Sequence, residues 1–220
     1  MNDIEFIKEN GLIAILRGIT LEKIDKIIEA LYSGGVKIIE IAFDPSDNDT
    51  VFKTSNLIKR ACEVSGGKVM IGAGTGICRE YVVAAYNSGA RFIFSPDTDA
   101  DVIKLTKELG MVSIPGAFTP SEYKTAYKNG ADIIKLFPVT VDEINYIKNI
   151  ARPLSYIPFI CVGGINESTV KPFILAGACG VGTGISILKP NLIENDDYAE
   201  ITRLARLHAD AVKNAKMMSK

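Results

Sequence analysis

The sequence predicts an α/β fold, a single (β/α)8 barrel of the TIM type spanning residues 1–220, and three observations predict it. Apolar strand-like runs alternate with helical patterns along the whole chain, an order that favours parallel pairing. One short connection recurs after the helices, as S-G-G-V, S-G-A, K-N-G-A or A-G-A, where glycine supplies the left-handed residue that ends a helix. Eight such units divide 220 residues into repeats of about 27, compact for a closed barrel, which runs from about 200 residues upward. A doubly wound open sheet is the alternative, but no G-x-G-x-x-G opens a helix, and no linker or low-complexity stretch marks a second domain.

The elements follow in order. The first strand is L-I-A-I-L at 12–16; the helix at 21–33 has Thr20 as its N-cap candidate and Gly34 as its closing glycine. K-I-I-E-I-A at 37–42 is an apolar run with one carboxylate inside it, followed by a helix at 50–62. V-M-I-G-A at 69–73 leads to a helix at 78–88, closed by Gly89. F-I-F-S at 92–95 precedes a helix at 99–109, opened by Asp99 and closed by Gly110. M-V-S-I-P at 111–115 precedes a helix at 120–129 with Gly130 beyond it. I-I-K-L-F at 133–137 and F-I-C-V at 159–162 lead to helices at 140–151 and at 168–176, the latter closed by Gly177. G-V-G at 180–182 is the last strand, and 198–215 the last helix.

Composition narrows the function classes. At 47% hydrophobic and 23% charged, with a net charge of −1 and interleaved signs, the chain lacks the basic footprint of a nucleic-acid binder. No apolar run approaches the roughly 18 residues of a membrane span, and the acidic start Met1-Asn2-Asp3-Ile4-Glu5 is unlike a secretory leader, so a cytoplasmic protein is expected. Cys62, Cys78, Cys161 and Cys179 form no C-x-x-C and read as neither a zinc site nor a disulfide framework; Cys161 and Cys179 read as core fillers. The one histidine, His208, stands between Arg206 and Asp210 and reads as a surface residue, which leaves little for histidine-based metal or triad chemistry.

In such a barrel the active site lies at the C-terminal ends of the strands. The unusual residues concentrate there: Arg17, Glu40, Gly72-Ala73-Gly74-Thr75, Ser95-Pro96-Asp97, Pro115-Gly116, Lys135, Gly163-Gly164 and Gly182-Thr183-Gly184. Lys135 is flanked by four apolar residues, and an ammonium held among them is costly unless it is paired, shifted in pKa or used. A lysine pushed toward its neutral form is a nucleophile toward carbonyl carbon; the plain alternative is a lysine that reaches into water on its stem. Glu40 suits proton shuttling beside such a lysine, or else a simple ion pair. Arg17 suits bidentate carboxylate recognition, or else pairs with Glu40. The glycine pairs follow strands seven and eight, where such barrels commonly bind phosphate through backbone N–H groups. They could also be tight turns.

The ordered set I-A-I-L-R, G-G-V-K-I-I-E-I, I-G-A-G-T, F-I-F-S-P, I-P-G-A-F-T-P-S-E, I-I-K-L-F-P, V-G-G-I and G-V-G-T resembles the 2-keto-3-deoxy-6-phosphogluconate and 4-hydroxy-2-oxoglutarate aldolases over about residues 4 to 190. The resemblance implies a metal-free, cofactor-free aldolase that forms a lysine Schiff base, often a homotrimer, acting on a small 2-keto acid in the Entner–Doudoroff pathway. Carried over by position, Lys135 is the imine-forming lysine and Glu40 the general acid/base. Arg17 and Thr75 bind the pyruvate portion, Pro96, Pro115 and Phe137 shape its pocket, and Gly163, Gly164 and Thr183 form the phosphate end. The expected products are pyruvate and glyceraldehyde 3-phosphate, with glyoxylate and the galactose-series epimer as further options. Three positions depart from the family pattern. Asp44 stands where many members carry an arginine, C-V-G-G-I replaces P-T-G-G-I, and Thr183 replaces a serine. A non-catalytic sugar-phosphate-binding barrel would explain the glycines but not Lys135 and Glu40. A phosphosugar epimerase or isomerase of the metal-dependent kind would want more histidines than His208.

Overall fold

The computed structural model describes residues 1–219. Nine strands form one sheet: β1 (Leu12–Leu16), β2 (Ile38–Ala42), β3 (Met70–Gly74), β4 (Phe92–Phe94), β5 (Val112–Ile114), β6 (Gly116–Ala117), β7 (Ile134–Leu136), β8 (Phe159–Val162) and β9 (Gly180–Thr183). Every pairing is parallel. The order β5-β4-β3-β2-β1-β9-β8-β7-β6 leaves β5 and β6 at the two ends. Those two are consecutive in the chain and separated only by Pro115, so the sheet returns on itself as a barrel. Pro115 has no N–H to offer the ladder, which is why the strand breaks there. The seam is bonded on both flanks: Ser95 N–H donates to the Ile114 carbonyl at 3.1 Å, and Lys135 N–H donates to the Pro115 carbonyl at 2.8 Å. The eight expected strands are present, the fifth split by its own proline.

Ten helices accompany the sheet among the described residues: α1 (Asp3–Asn10), α2 (Ile24–Ser33), α3 (Thr50–Ser65), α4 (Arg79–Asn87), α5 (Ala100–Glu108), α6 (Pro120–Lys128), α7 (Ile144–Ala151), α8 (Val170–Leu175), α9 (Pro190–Glu194) and α10 (Tyr198–Met218). The helical patterns locate eight of them, with the stretch from 140 divided into a 3-10 turn at Val141–Glu143 and then α7. Helices α1 and α9 are additions. Asp99 caps α5 as expected, accepting from the amides of Asp101 and Val102. Thr20 does not cap α2, which begins four residues later after Lys23. Gly34 is not left-handed either: its φ is −80°, and the left-handed residue is Gly35 at +93°. Gly34 is where α10 comes close, since a Cβ there would lie 2.4 Å from that of Ala205.

The period-two alternation of the strands sorts the core into two layers. Ile13, Ile38, Met70, Phe92, Phe94, Val112, Ile114, Ile133, Ile160 and Val162 fill the barrel, and Ile7 of α1 joins them as its plug. Leu12, Ala14, Leu16, Ile39, Ile41, Ile71, Ile93, Ile134, Leu136, Cys161 and Val181 point outward to the helices. Glu40 and Lys135 share the parity of Ile38 and Ile133, which turns both side chains to the barrel axis. No helix among the described residues is long and apolar enough to cross a membrane. Cys161 is buried as expected, and Cys179 is half-buried behind β8, its thiol directed to the Phe159 carbonyl.

Candidate active site

Lys135 is 4% exposed. Its Nζ lies 4.6 Å from the centre of the Phe94 ring and 4.5 Å from that of Phe137, so two aromatic faces hold the amine with the weak attraction of a ring quadrupole. The strand itself is pinned by the Pro115 carbonyl, which accepts from the Lys135 amide. Burial pushes the Lys135 ammonium below its ordinary range; Glu40 opposes that shift and Arg17 adds to it. The shift is toward the neutral amine, the form that can attack a carbonyl carbon.

Glu40 is fully buried, and neither carboxylate oxygen has a hydrogen-bond partner. A buried carboxylate without partners is among the most costly groups a fold can hold. The barrel makes room for it at Gly74, where a Cβ would lie 1.5 Å from Glu40 Oε1. Burial raises the Glu40 carboxyl to about 7, against the pull of Lys135 and Arg17. Two adjacent titratable groups with pKa values displaced from their ordinary ranges are the hallmark of acid/base work near neutral pH.

Arg17 follows β1 at the rim and is exposed; its Nη1 donates to Thr75 Oγ1 at 3.3 Å. Thr75 has φ of +56°, a left-handed conformation that a β-branched residue adopts only under constraint. The result is a guanidinium and a hydroxyl side by side above the ends of β1 and β3. Asp44 leans toward the same region but is occupied, since its carboxylate accepts from both the amide and the hydroxyl of Ser46. Pro96 is half-buried where β4 ends, with its carbonyl packed over Gly116, and Pro115 is buried in the seam. Asp97 stands at the same rim; its partial burial and Asp99 raise its carboxyl, while the charge of Lys135 lowers it.

One cavity of about 620 Å3 is lined by Lys135, Arg17 and Phe137 at one end and by Gly163, Gly164, Gly182 and Gly184 at the other; Glu40, Thr75, Pro96 and Pro115 lie outside its lining. A roomier one of about 900 Å3, at the opposite end of the barrel beside Lys8 and Lys216, holds none of the expected residues. Gly164 has φ of +52° with open space where a side chain would be. Gly163 lies under Val139, whose carbonyl oxygen would be 2.4 Å from a Cβ. Thr183 lines the cavity, but its hydroxyl donates to the Ile165 carbonyl at 2.8 Å and is not free for a ligand. Its parity explains this, because Thr183 and Val181 alternate with the inward-facing Gly182.

The expected residues therefore gather in two groups, Lys135, Glu40, Arg17, Thr75 and Phe137 around the amine, and Gly163 and Gly164 at the far end. Phe94 was missed by sequence reasoning, although alternation from Phe92 would have turned it inward. His208 corrects an expectation. It is fully buried, with Nδ1 2.8 Å from the Leu204 carbonyl and Nε2 3.0 Å from Ser186 Oγ. Among the described residues no group of three or more His, Cys, Asp or Glu side chains is placed to hold a metal ion.

Residues 4–204 match the family model described as KDPG and KHG aldolase. A 2-dehydro-3-deoxy-6-phosphogalactonate aldolase of Escherichia coli strain K12 is 33% identical over 92% of this chain and 96% of its own. A 2-dehydro-3-deoxy-phosphogluconate aldolase of Haemophilus influenzae is 25% identical over 96% of each. Among solved structures, one described as native KDPGal superposes with a TM-score of 0.83 at 29% identity, covering 94% of this chain and 96% of that one. The KDPG aldolase of Legionella pneumophila, with pyruvate captured as a covalent carbinolamine, has the same fold, with a TM-score of 0.82 at 23% identity over 93% of this chain and 97% of that one.

Proposed function

The chain belongs to the KDPG and KHG aldolase family, whose members are lyases, and from that premise we propose that it cleaves a 2-keto-3-deoxy-6-phospho sugar acid to pyruvate and glyceraldehyde 3-phosphate through an imine on Lys135. The observation that carries this reading is the pairing at the barrel axis of a buried amine driven toward neutrality and a buried carboxyl raised to about 7. A fold does not retain two such groups for stability.

The Lys135 amine adds to the C2 carbonyl, and the carbinolamine loses water to give an iminium. Glu40 takes the proton of the C4 hydroxyl, directly or through water; the C3–C4 bond breaks, its electrons pass to the iminium, and the aldehyde leaves. The enamine is protonated at C3, and hydrolysis releases pyruvate and restores the amine. Arg17 and Thr75 are placed to hold the carboxylate beside C2, without the second arginine that Asp44 replaces. Pro96, Pro115 and Phe137 wall the pyruvate portion, and the backbone of Gly163 and Gly164 receives the phosphate.

The galactonate epimer is the first substrate to assay, since the relative so named is 33% identical and the gluconate one 25%. 4-Hydroxy-2-oxoglutarate, which would give pyruvate and glyoxylate, is the second. A cytoplasmic homotrimer serving sugar-acid breakdown of the Entner–Doudoroff kind belongs to the same reading. The test is borohydride trapping with pyruvate followed by peptide mass spectrometry. A reduced pyruvyl adduct on Lys135, lost along with turnover in a folded Lys135→Ala variant, is expected. No adduct in a folded protein with excess pyruvate would favour a binding barrel without aldol chemistry, and an adduct on another lysine would move the site.

A further inference from the structure

His208 is a buried titratable side chain that the mechanism above does not use, and it stands in a continuous polar chain. On α10 it belongs to the apolar stripe of Ile201, Leu204, Ala205, Val212 and Ala215, so nothing in its helix position calls for a polar group. The Leu204 carbonyl can only accept, so Nδ1 carries the proton and Nε2 of the neutral ring is an acceptor. The Ser186 hydroxyl shares its one proton between that nitrogen, at 3.0 Å, and the Ile165 carbonyl, at 3.1 Å. Ser186 Oγ is in turn in contact with Thr183 Oγ1, and Thr183 gives its proton to the Ile165 carbonyl at 2.8 Å. Glu167 Oε2 stands 3.6 Å from Nε2 and is the one carboxylate facing the ring among the described residues.

The ends of that chain matter. Ile165 directly follows Gly163-Gly164, and Thr183 to Ser186 is the turn after β9. The turn closes on itself, with the amides of Ile187 and Leu188 donating to the Gly184 carbonyl. Among the described residues, the side-chain hydrogen bonds that tie the turn after β8 to the turn after β9 come from this cluster. We propose that His208 is a positioning residue for the phosphate end: through Ser186 and Thr183 it fixes the spacing between the two glycine turns, and so sets affinity for the phosphorylated tail while leaving the imine chemistry untouched. The inference rests on the phosphate reading given above. It also gives Thr183 a role that its occupied hydroxyl otherwise lacks, as a spacer rather than a ligand.

The test compares steady-state kinetics of wild type, His208→Leu and His208→Gln with the 6-phosphorylated sugar acid and with 4-hydroxy-2-oxoglutarate, which has no phosphate. Gln offers an amide oxygen near the position of Nε2, so it can accept from Ser186. Expected is a rise of about tenfold or more in KM for the phosphorylated substrate in His208→Leu. Its kcat should stay within about threefold, KM for the unphosphorylated substrate should hardly move, and most of the loss should be restored in His208→Gln. Equal changes for both substrates, or no change for either, would overturn the proposal and leave His208 a core residue. If His208→Leu does not fold, Ser186→Ala breaks the same link from the loop side and is judged by the same split. A wild-type enzyme that prefers the unphosphorylated substrate would count against the phosphate reading itself, before any variant is made.

Discussion

The proposed site has two unlike ends: Lys135 and Glu40, both withdrawn from water and Glu40 without a hydrogen-bond partner, mark the first, and the backbone of Gly163, Gly164, Gly182 and Gly184, with almost no side chain in the way, marks the second. The first end is defined by desolvation. Its groups are useful because the barrel interior penalises their charged forms. The second end is defined by conformation and shape, and charge enters only with the ligand. The two ends should therefore fail in different ways: loss of rate with binding retained at the first, loss of binding with rate retained at the second.

After the loss of Lys135 itself, the largest effect should come from a residue that touches no substrate. Gly74→Ala would place a Cβ 1.5 Å from Glu40 Oε1 and 2.3 Å from its Cδ, so the carboxyl must swing from its place. General acid/base catalysis contributes about 100-fold to 10,000-fold, and kcat in Gly74→Ala should fall by about 100-fold or more. Lys135 is not displaced, so borohydride trapping of pyruvate should persist. A variant with near wild-type kcat would show that the carboxyl need not sit where the barrel holds it, and the comparison between the two ends would lose its first half.

A second, smaller effect reads the desolvation directly. Glu40 has its carboxyl raised from an ordinary 4.5 to about 7. A group raised on folding contributes stability that is complete below its unfolded value and lost as pH rises through the folded one. Wild type should therefore lose about 2–3 kcal/mol between pH 5 and pH 8 from this group, at 1.36 kcal/mol per unit. Glu40→Gln should escape that loss, so urea unfolding should show the variant gaining on wild type as pH rises. A constant difference between the two proteins at both pH values would mean that the carboxyl titrates normally.

How much of this was legible in the sequence differs between the two ends. Alternation along 37–42 and 133–137 turns Glu40 and Lys135 inward, and apolar flanks announce their cost, so the reactive end could be read residue by residue. Thr183 could have been read by the same rule, since Gly182 faces in and its neighbour must face out. His208 looked exposed because Arg206 and Asp210 flank it. On a helix, residues two apart lie on different faces, and the neighbours that share its face, Leu204 and Val212, are apolar. The helix α1 and its plug Ile7 were not legible, because eight residues between an acidic start and a strand carry too little periodicity. Nor was the break at Pro115, which looks in sequence like the end of a strand and instead divides that strand into β5 and β6.

The smallest effect tests the second end by itself. At Gly164 the backbone has φ of +52°, and nothing lies within 4 Å of where a Cβ would go. Gly164→Ala thus adds no clash, unlike Gly163, where Val139 carbonyl oxygen is 2.4 Å away. Its cost is the left-handed conformation alone, about 1 kcal/mol for a residue with a side chain. If the turn relaxes to relieve that strain, its amides move off the phosphate, and KM for the phosphorylated substrate should rise about fivefold, roughly the same 1 kcal/mol. Turnover at saturation and pyruvate trapping should stay at wild-type levels, because neither Lys135 nor Glu40 feels the change. Should kcat fall together with affinity, the two ends would be one mechanical unit, and the division drawn between a desolvated end and a conformational end would have to be given up.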